Sequence, residues 1–229
     1  MNKSKDIILP QINPTEARKM KNILREKPAV VAISGPSGAG KDFLTSQAVD
    51  CFLTIGIPCN NVQMVTDRPS RKPGVETKVC ITSLEYSELQ RRGKLIGDHL
   101  NVSHYGYRTA DIQAAMNSAR SSGGLVILEL NPITQTDFPD MMTERLGTGL
   151  AAWVGVKTTP EQTRLNMLER GESPENIENR LAIMSQFNRA MKGNNVIQIV
   201  DNGPTNRKRS TFDFIHIIIE AIKKLDKTQ

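Results

Sequence analysis

The run Gly35-Pro36-Ser37-Gly38-Ala39-Gly40-Lys41-Asp42 carries the clearest chemical signal in this chain. A glycine, four intervening residues, a second glycine and a lysine give the G-x-x-x-x-G-K spacing of a phosphate-binding loop. Glycine lets the backbone turn inward until successive N–H groups point at one spot, where a helix start adds positive potential. Lys41 would then reach the terminal phosphates of a nucleotide. The bland alternative is a tight strand-to-helix turn followed by a solvated lysine. Asp42 stands where such loops hold Ser or Thr, whose hydroxyl ligates Mg2+. A carboxylate is also a hard oxygen ligand, and a helix N-terminus favours its charge, so Asp42 is expected to contribute to a metal site.

Two further groups could handle phosphate. In Thr66-Asp67-Arg68-Pro69-Ser70-Arg71 the arginines stand three apart beside a Pro–Gly loop and could grip one phosphate through charge-assisted hydrogen bonds. Arg170-Gly171 and Arg180 straddle a Ser-Pro helix start. Taken singly, each of these reads as ordinary surface charge. No convincing histidine–carboxylate pair is present, and His99, His104 and His216 read as structural or surface residues.

These residues need elements to position them. The apolar run 29–33 reads as a buried strand ahead of the loop, and Phe43, Leu44, Ala48 and Phe52 as the face of the helix after it. A second strand is expected at 62–65. Residues 66–78 are polar and rich in Pro and Gly, which suits a loop leaving the main sheet. Thr82-Ser83-Leu84-Glu85 reads as a capping box that opens a short helix ending near Gly93. A polar segment at 98–107 precedes an Ala-rich helix with Ile112, Ala115, Met116 and Ala119 on one face. Residues 125–129 read as a strand ending in an acid, and 132–148 as a loop with a helical turn or more. A strand at 151–156 is followed by helix starts at Thr159-Pro160 and Ser173-Pro174, the second helix closing at Gly193. A strand at 196–200 and an amphipathic helix at 212–225 complete the chain, with Ile217-Ile218-Ile219 leaving a strand alternative open there. Alternating strands and helices predict an α/β fold with a parallel sheet covered on both faces. Residues 1–28 read as an N-terminal extension containing a basic helix over 14–26.

With 229 residues the chain can bury a sizeable core, and its net charge of +6 suits phosphate-bearing ligands without demanding nucleic acid. Three cysteines with no C-x-x-C spacing argue against a disulfide framework or a zinc site. No signal-peptide core and no apolar stretch of membrane length are found, so a cytoplasmic location is expected.

In this order, the features resemble the guanylate kinase family of P-loop nucleoside monophosphate kinases over most of residues 29–225. The resemblance rests on Ser34 to Lys41, then Thr66-x-Arg68-x-x-Arg71 with Gly74 and Glu76. Arg92-Gly93-Lys94-Leu95, His104-Tyr105-Gly106, Arg170-Gly171 and Ile177-x-x-Arg180-Leu181 complete it. It implies a P-loop NTPase domain over 29–229, with an inserted acceptor-binding lobe at about 67–106 and an arginine-bearing lid at about 164–180. It further implies ATP held by Gly35, Pro36, Ser37, Gly38, Ala39, Gly40, Lys41 and Asp42, with Mg2+ as the companion ion. Arg68, Arg71 and Tyr105 would hold an acceptor phosphate, Glu76 would line the acceptor site, and Lys41, Arg170 and Arg180 would act on the transferring phosphoryl group. Nucleotide and phosphate-monoester substrates follow, with neither nucleic acid nor membrane as partner and a monomer or homodimer as the assembly.

The sequence also departs from the family pattern. Lys78-Val79-Cys80 replaces an Asp-Tyr pair, Asp98-His99-Leu100 stands where a glutamate reads guanine, and Tyr107 replaces a small hydroxyl residue. Asn166 replaces a lid arginine, with Arg164 as a candidate substitute, and Glu129-Leu130-Asn131 has one acid where two are common. Phosphate contacts position a ligand, whereas edge hydrogen bonds discriminate bases. A lysine–aspartate loop ending resembles the ribose 1,5-bisphosphate phosphokinases. Three readings follow: a kinase for GMP or a related nucleotide, a sugar-phosphate kinase, and a non-catalytic protein-binding module. Modules of that last kind tend to lose the loop, which this chain keeps. A GTPase switch is disfavoured, because no Asn-Lys-x-Asp motif is present.

Overall fold

The computed structural model describes residues 10–69, 78–100 and 103–227, with the backbone alone for 98–100. Its centre is strand β1 (Ala29–Ser34), in which all six residues are buried. An uninterrupted apolar run suits a strand covered on both faces, and β1 divides its side chains accordingly. Ala29, Val31 and Ile33 face one apolar layer, with Leu44, Phe52, Phe214 and Ile218. Val30 and Ala32 face the other, with Ile112, Met116, Phe138 and Trp153. The period of two is the pleat itself.

Five parallel strands form the main sheet in the order β2-β7-β1-β8-β9. Here β2 is Cys59–Asn61, β7 Leu125–Glu129, β8 Ala152–Lys157 and β9 Ile197–Asp201. Helices α1 (Pro14–Glu26), α2 (Lys41–Thr54) and α8 (Arg207–Leu225) supply the first layer. Helices α4 (Thr109–Ser122) and α5 (Phe138–Leu146), with the end of α7 (Pro174–Gly193), supply the second, and α6 is Pro160–Glu169. Helix α1 is capped by Asn13, and its Met20, Ile23 and Leu24 are buried in the same core as α2 and α8.

A second sheet, in the order β4-β3-β6-β5, stands apart from the first. It comprises β3 (Val65–Thr66), β4 (Val79–Cys80), β5 (Leu95–Leu100) and β6 (His104–Arg108). Helix α3 (Ser83–Arg91) packs Tyr86 against Val65 and Leu95 in a small core of its own. The capping box at Thr82 is present in full: its hydroxyl accepts the Glu85 N–H, and the Glu85 carboxylate accepts the Thr82 N–H. Thr159 and Ser173 cap α6 and α7 in the simpler way, with one backbone N–H each.

Several expectations are corrected. The second strand of the main sheet is at Cys59–Asn61 rather than 62–65, and Val65–Thr66 pair in the second sheet. Val62 and Met64 are buried in the stretch between the two strands, where the Val62 N–H donates to the Ile127 carbonyl at 3.4 Å and the Met64 carbonyl accepts the Val79 N–H at 2.8 Å. The polar segment at 98–107 contributes to a hairpin, β5 with β6, in which Leu95, Ile96 and Tyr107 supply the large buried side chains among the described ones. Residues 138–146 form α5, which ends at Gly147 in the left-handed conformation. Helix α8 is unbroken through Ile217-Ile218-Ile219 and begins at Arg207.

Candidate active site

The glycine loop leaves β1 at a strand end that is fastened from both sides. The buried Ser34 hydroxyl donates to the Leu130 carbonyl at 2.6 Å and accepts the Trp153 indole N–H at 2.7 Å. Gly35 follows where a Cβ would lie 2.6 Å from the Val156 carbonyl oxygen. Gly40 precedes α2 with φ +88°, and a Cβ there would lie 2.3 Å from the Asn202 side-chain nitrogen. Both positions therefore require glycine, one for close approach and one for a left-handed turn.

Asn202, one residue past β9, supports the loop from below. Its buried amide donates to the Ala39 carbonyl at 2.8 Å, and its Oδ1 accepts from the Ser210 hydroxyl at 2.8 Å.

Lys41, the first residue of α2, folds back under the loop. Its Nζ donates to the carbonyls of Gly35 at 2.9 Å and Pro36 at 3.3 Å, and lies 3.1 Å from Glu129 Oε1. The other Glu129 oxygen is 3.4 Å from Lys78 Nζ, one residue ahead of β4 in the second sheet. Burial pushes the Glu129 carboxyl up, but Lys41 and Lys78 together outweigh it and bring the group down to about 2. The backbone of Glu129 is clamped as well. Its N–H donates to the Tyr107 hydroxyl, which donates in turn to the Glu129 carbonyl, both at 2.8 Å. Burial pushes the Tyr107 phenol well above its ordinary value, so it remains a donor. The sequence marks Glu129 as a strand-end acid and Lys78 as a departure from the family pattern, but does not pair them. An acid at the C-terminal end of a strand beside β1 was the signal available for the first of them.

The loop is covered by α6, α7 and the turn joining them. Arg180 of α7 donates to the Ser37 hydroxyl and lies 3.9 Å from a Glu172 oxygen. Arg170, at the end of α6, lies 3.4 Å from Asp42 Oδ2. Asn166 donates to the Gly38 carbonyl at 2.7 Å. Arg164 is turned instead to Glu178 of α7, so it is Asn166 that touches the loop.

Of the expected acceptor residues, Arg71 and Glu76 lie outside the described residues. Tyr105 on β6 pairs with Thr66 on β3 in the second sheet, and Arg68 lies two residues past β3. Beside them His104 Nδ1 is 2.9 Å from Asp67 Oδ2, its backbone N–H donates to Asp67 Oδ1 at 2.8 Å, and its ring stacks on Tyr86 at 5.1 Å. The His104 hydrogen bond is the main reason that the Asp67 carboxyl is held below its ordinary value. His216 is exposed on α8 and stacks on Phe212.

Among the described residues no group of three or more His, Cys, Asp or Glu could hold a metal alone. Asp42, 74% exposed in the first turn of α2, suits an ion that takes one carboxylate together with water and phosphate oxygens, as Mg2+ does. No helix among the described residues is long and apolar enough to cross a membrane.

No family model matches the sequence, and no curated protein matches it. Among solved structures, guanylate kinase from Anaplasma phagocytophilum is similar, with a TM-score of 0.56, 16% identity and coverage of 85% of each chain. The likeness is one of fold. The chain has a guanylate kinase-like P-loop fold, with a parallel central sheet flanked by helices.

Proposed function

We propose that the chain is an ATP-dependent phosphotransferase whose acceptor is a phosphate monoester, with GMP or a related nucleoside monophosphate as the first candidate. The observation that carries this reading is the meeting of Lys41, Arg170 and Arg180 around one glycine loop, where Arg170 lies within 3.4 Å of Asp42 and Arg180 donates to Ser37. A ring of cations over backbone N–H groups at a helix start is built for several clustered negative charges.

Phosphoryl transfer passes through a loose transition state, so positioning and charge neutralisation supply most of the catalysis. Lys41 would exchange the Gly35 and Pro36 carbonyls for the terminal phosphates. Arg170 and Arg180 would neutralise the phosphoryl oxygens as they move. Arg68, Arg71 and Tyr105 would hold the acceptor phosphate, with Glu76 lining that site. The attacking oxygen belongs to an already anionic phosphate and needs no general base. Mg2+ supplies further neutralisation of the phosphates when bound, and Asp42 is the residue that would hold it.

One observation favours a sugar-phosphate acceptor as the second reading. Tyr107 is buried and its hydroxyl is committed to the Glu129 backbone, so it offers no hydrogen bond to a base edge. The test is ADP release from Mg-ATP across GMP, dGMP, AMP, CMP, UMP and ribose 1,5-bisphosphate. Turnover with one acceptor class selects between the two readings. No turnover with any of them, alongside measurable protein binding, would replace both with a protein-binding module.

A further inference from the structure

The Glu129 carboxylate is shared by two lysines from different parts of the fold. Lys41 belongs to the loop helix, whereas Lys78 enters from the second sheet, and they take opposite oxygens at 3.1 and 3.4 Å. We propose that Lys78 is a positioning residue: it keeps Glu129 neutralised so that Lys41 can leave for the donor phosphates. This rests on the donor-site reading above.

Lys41 is held three ways, by two carbonyls and by Glu129. To serve a triphosphate it must abandon the carboxylate. Glu129 keeps only 36% of its side chain exposed, so a carboxylate left there without a cation is incompletely solvated, and that opposes nucleotide binding. Lys78 removes the obstacle by remaining on the second oxygen throughout the exchange. It is suited to stay. Its side chain is only 22% exposed, and the next residue is pinned where the Val79 N–H donates to the Met64 carbonyl at 2.8 Å. Tyr107 holds the backbone from which the carboxylate projects, bonding both its N–H and its carbonyl. Lys78 and Tyr107 both come from the second sheet, so the same contacts tie the acceptor lobe to the donor loop.

The alternative is that Lys78 merely adds positive potential near the loop. The two accounts differ in what happens when the carboxylate is removed. A local charge contributes in any background, whereas a partner for Glu129 matters only while Glu129 is charged.

The test is calorimetric titration of the Mg2+ complex of a non-hydrolysable ATP analogue into the wild type, Lys78→Met, Glu129→Gln, the double variant and Lys78→Arg. Circular dichroism confirms the fold of each. Lys78→Met is expected to weaken binding roughly 5- to 20-fold, the lower part of the usual range for coupled sites. Within the Glu129→Gln background the same change should alter affinity less than about twofold, and Lys78→Arg should stay within about threefold of the wild type. Equal weakening in both backgrounds, or none in Lys78→Met alone, overturns the proposal while leaving the donor-site reading intact. A wild type that does not bind the analogue overturns both.

Discussion

Replacing Glu129 with Gln tests the electrostatics of the site without any substrate. The variant keeps the shape of the side chain but leaves Lys41 and Lys78 facing a neutral amide. The Glu129 carboxyl falls from an ordinary 4.5 to about 2 in the folded protein. Taken at face value that corresponds to ~3.4 kcal/mol of stability at neutral pH. The side chain is 36% exposed, however, so solvent screening brings the expected contribution to about 1–2 kcal/mol. A group whose folded value is depressed stabilises the protein above its unfolded value. That contribution is lost as pH falls from 4.5 toward about 2. Urea unfolding of wild type and variant should therefore differ by about 1–2 kcal/mol at pH 7, with the gap at least halved by pH 3. Other carboxylates titrate in both proteins and cancel from the difference. A gap that is absent at pH 7, or equally large at pH 3, would refute the reasoning.

Other changes probe other parts of the site. Lys41→Ala should abolish turnover and leave the melting temperature within a few degrees of wild type; unchanged ATP consumption would remove Lys41 from the reaction. Asp42→Asn should raise the Mg2+ concentration needed for half-maximal turnover roughly tenfold, since one hard anionic ligand becomes neutral, and an unaltered Mg2+ dependence would rule out that role. Asn202→Ala strips the buried Ala39 carbonyl of the Asn202 amide and Ser210 of one of its two acceptors, leaving it the Arg207 carbonyl. It should cost about 1–3 kcal/mol in denaturant unfolding and raise the KM for ATP, whereas an unchanged midpoint would mean that the loop supports itself.

What could be read from the sequence was what depends on near neighbours. The glycine spacing, the three helix caps and the apolar run 29–33 of β1 each act over a few residues, and each element stands where its signal lay. The second sheet was hidden because its strands carry few apolar side chains and β3 pairs with partners about 15 and 40 residues away. The site divides in the same way. The loop and its lysine announce themselves, but Asn202 meets Ala39 across 163 positions and Lys78 meets Glu129 across 51. No local pattern distinguishes an asparagine that props a loop from one that closes a turn. Nor does any local pattern separate a lysine that shares a strand-end acid from one in water. Arg164 shows the converse, since spacing alone could offer it as a substitute for the missing lid arginine, while its actual partner is Glu178.

The cations at this site are already engaged by protein groups. Lys41 and Lys78 share Glu129, Arg170 faces Asp42, and Arg180 reaches Ser37 and Glu172. A ligand gains only the difference between its own attraction and that of the carboxylate it displaces. On the donor-site reading, a triphosphate, with several charges on closely spaced oxygens, would replace the partners of Lys41, Arg170 and Arg180 together and gain at each, while Lys78 stays on Glu129. A singly charged ligand displaces one carboxylate for an equal charge and gains almost nothing. On that reading, the same pairing that keeps the cations from repelling one another in the free protein would select for the number of charges in the ligand.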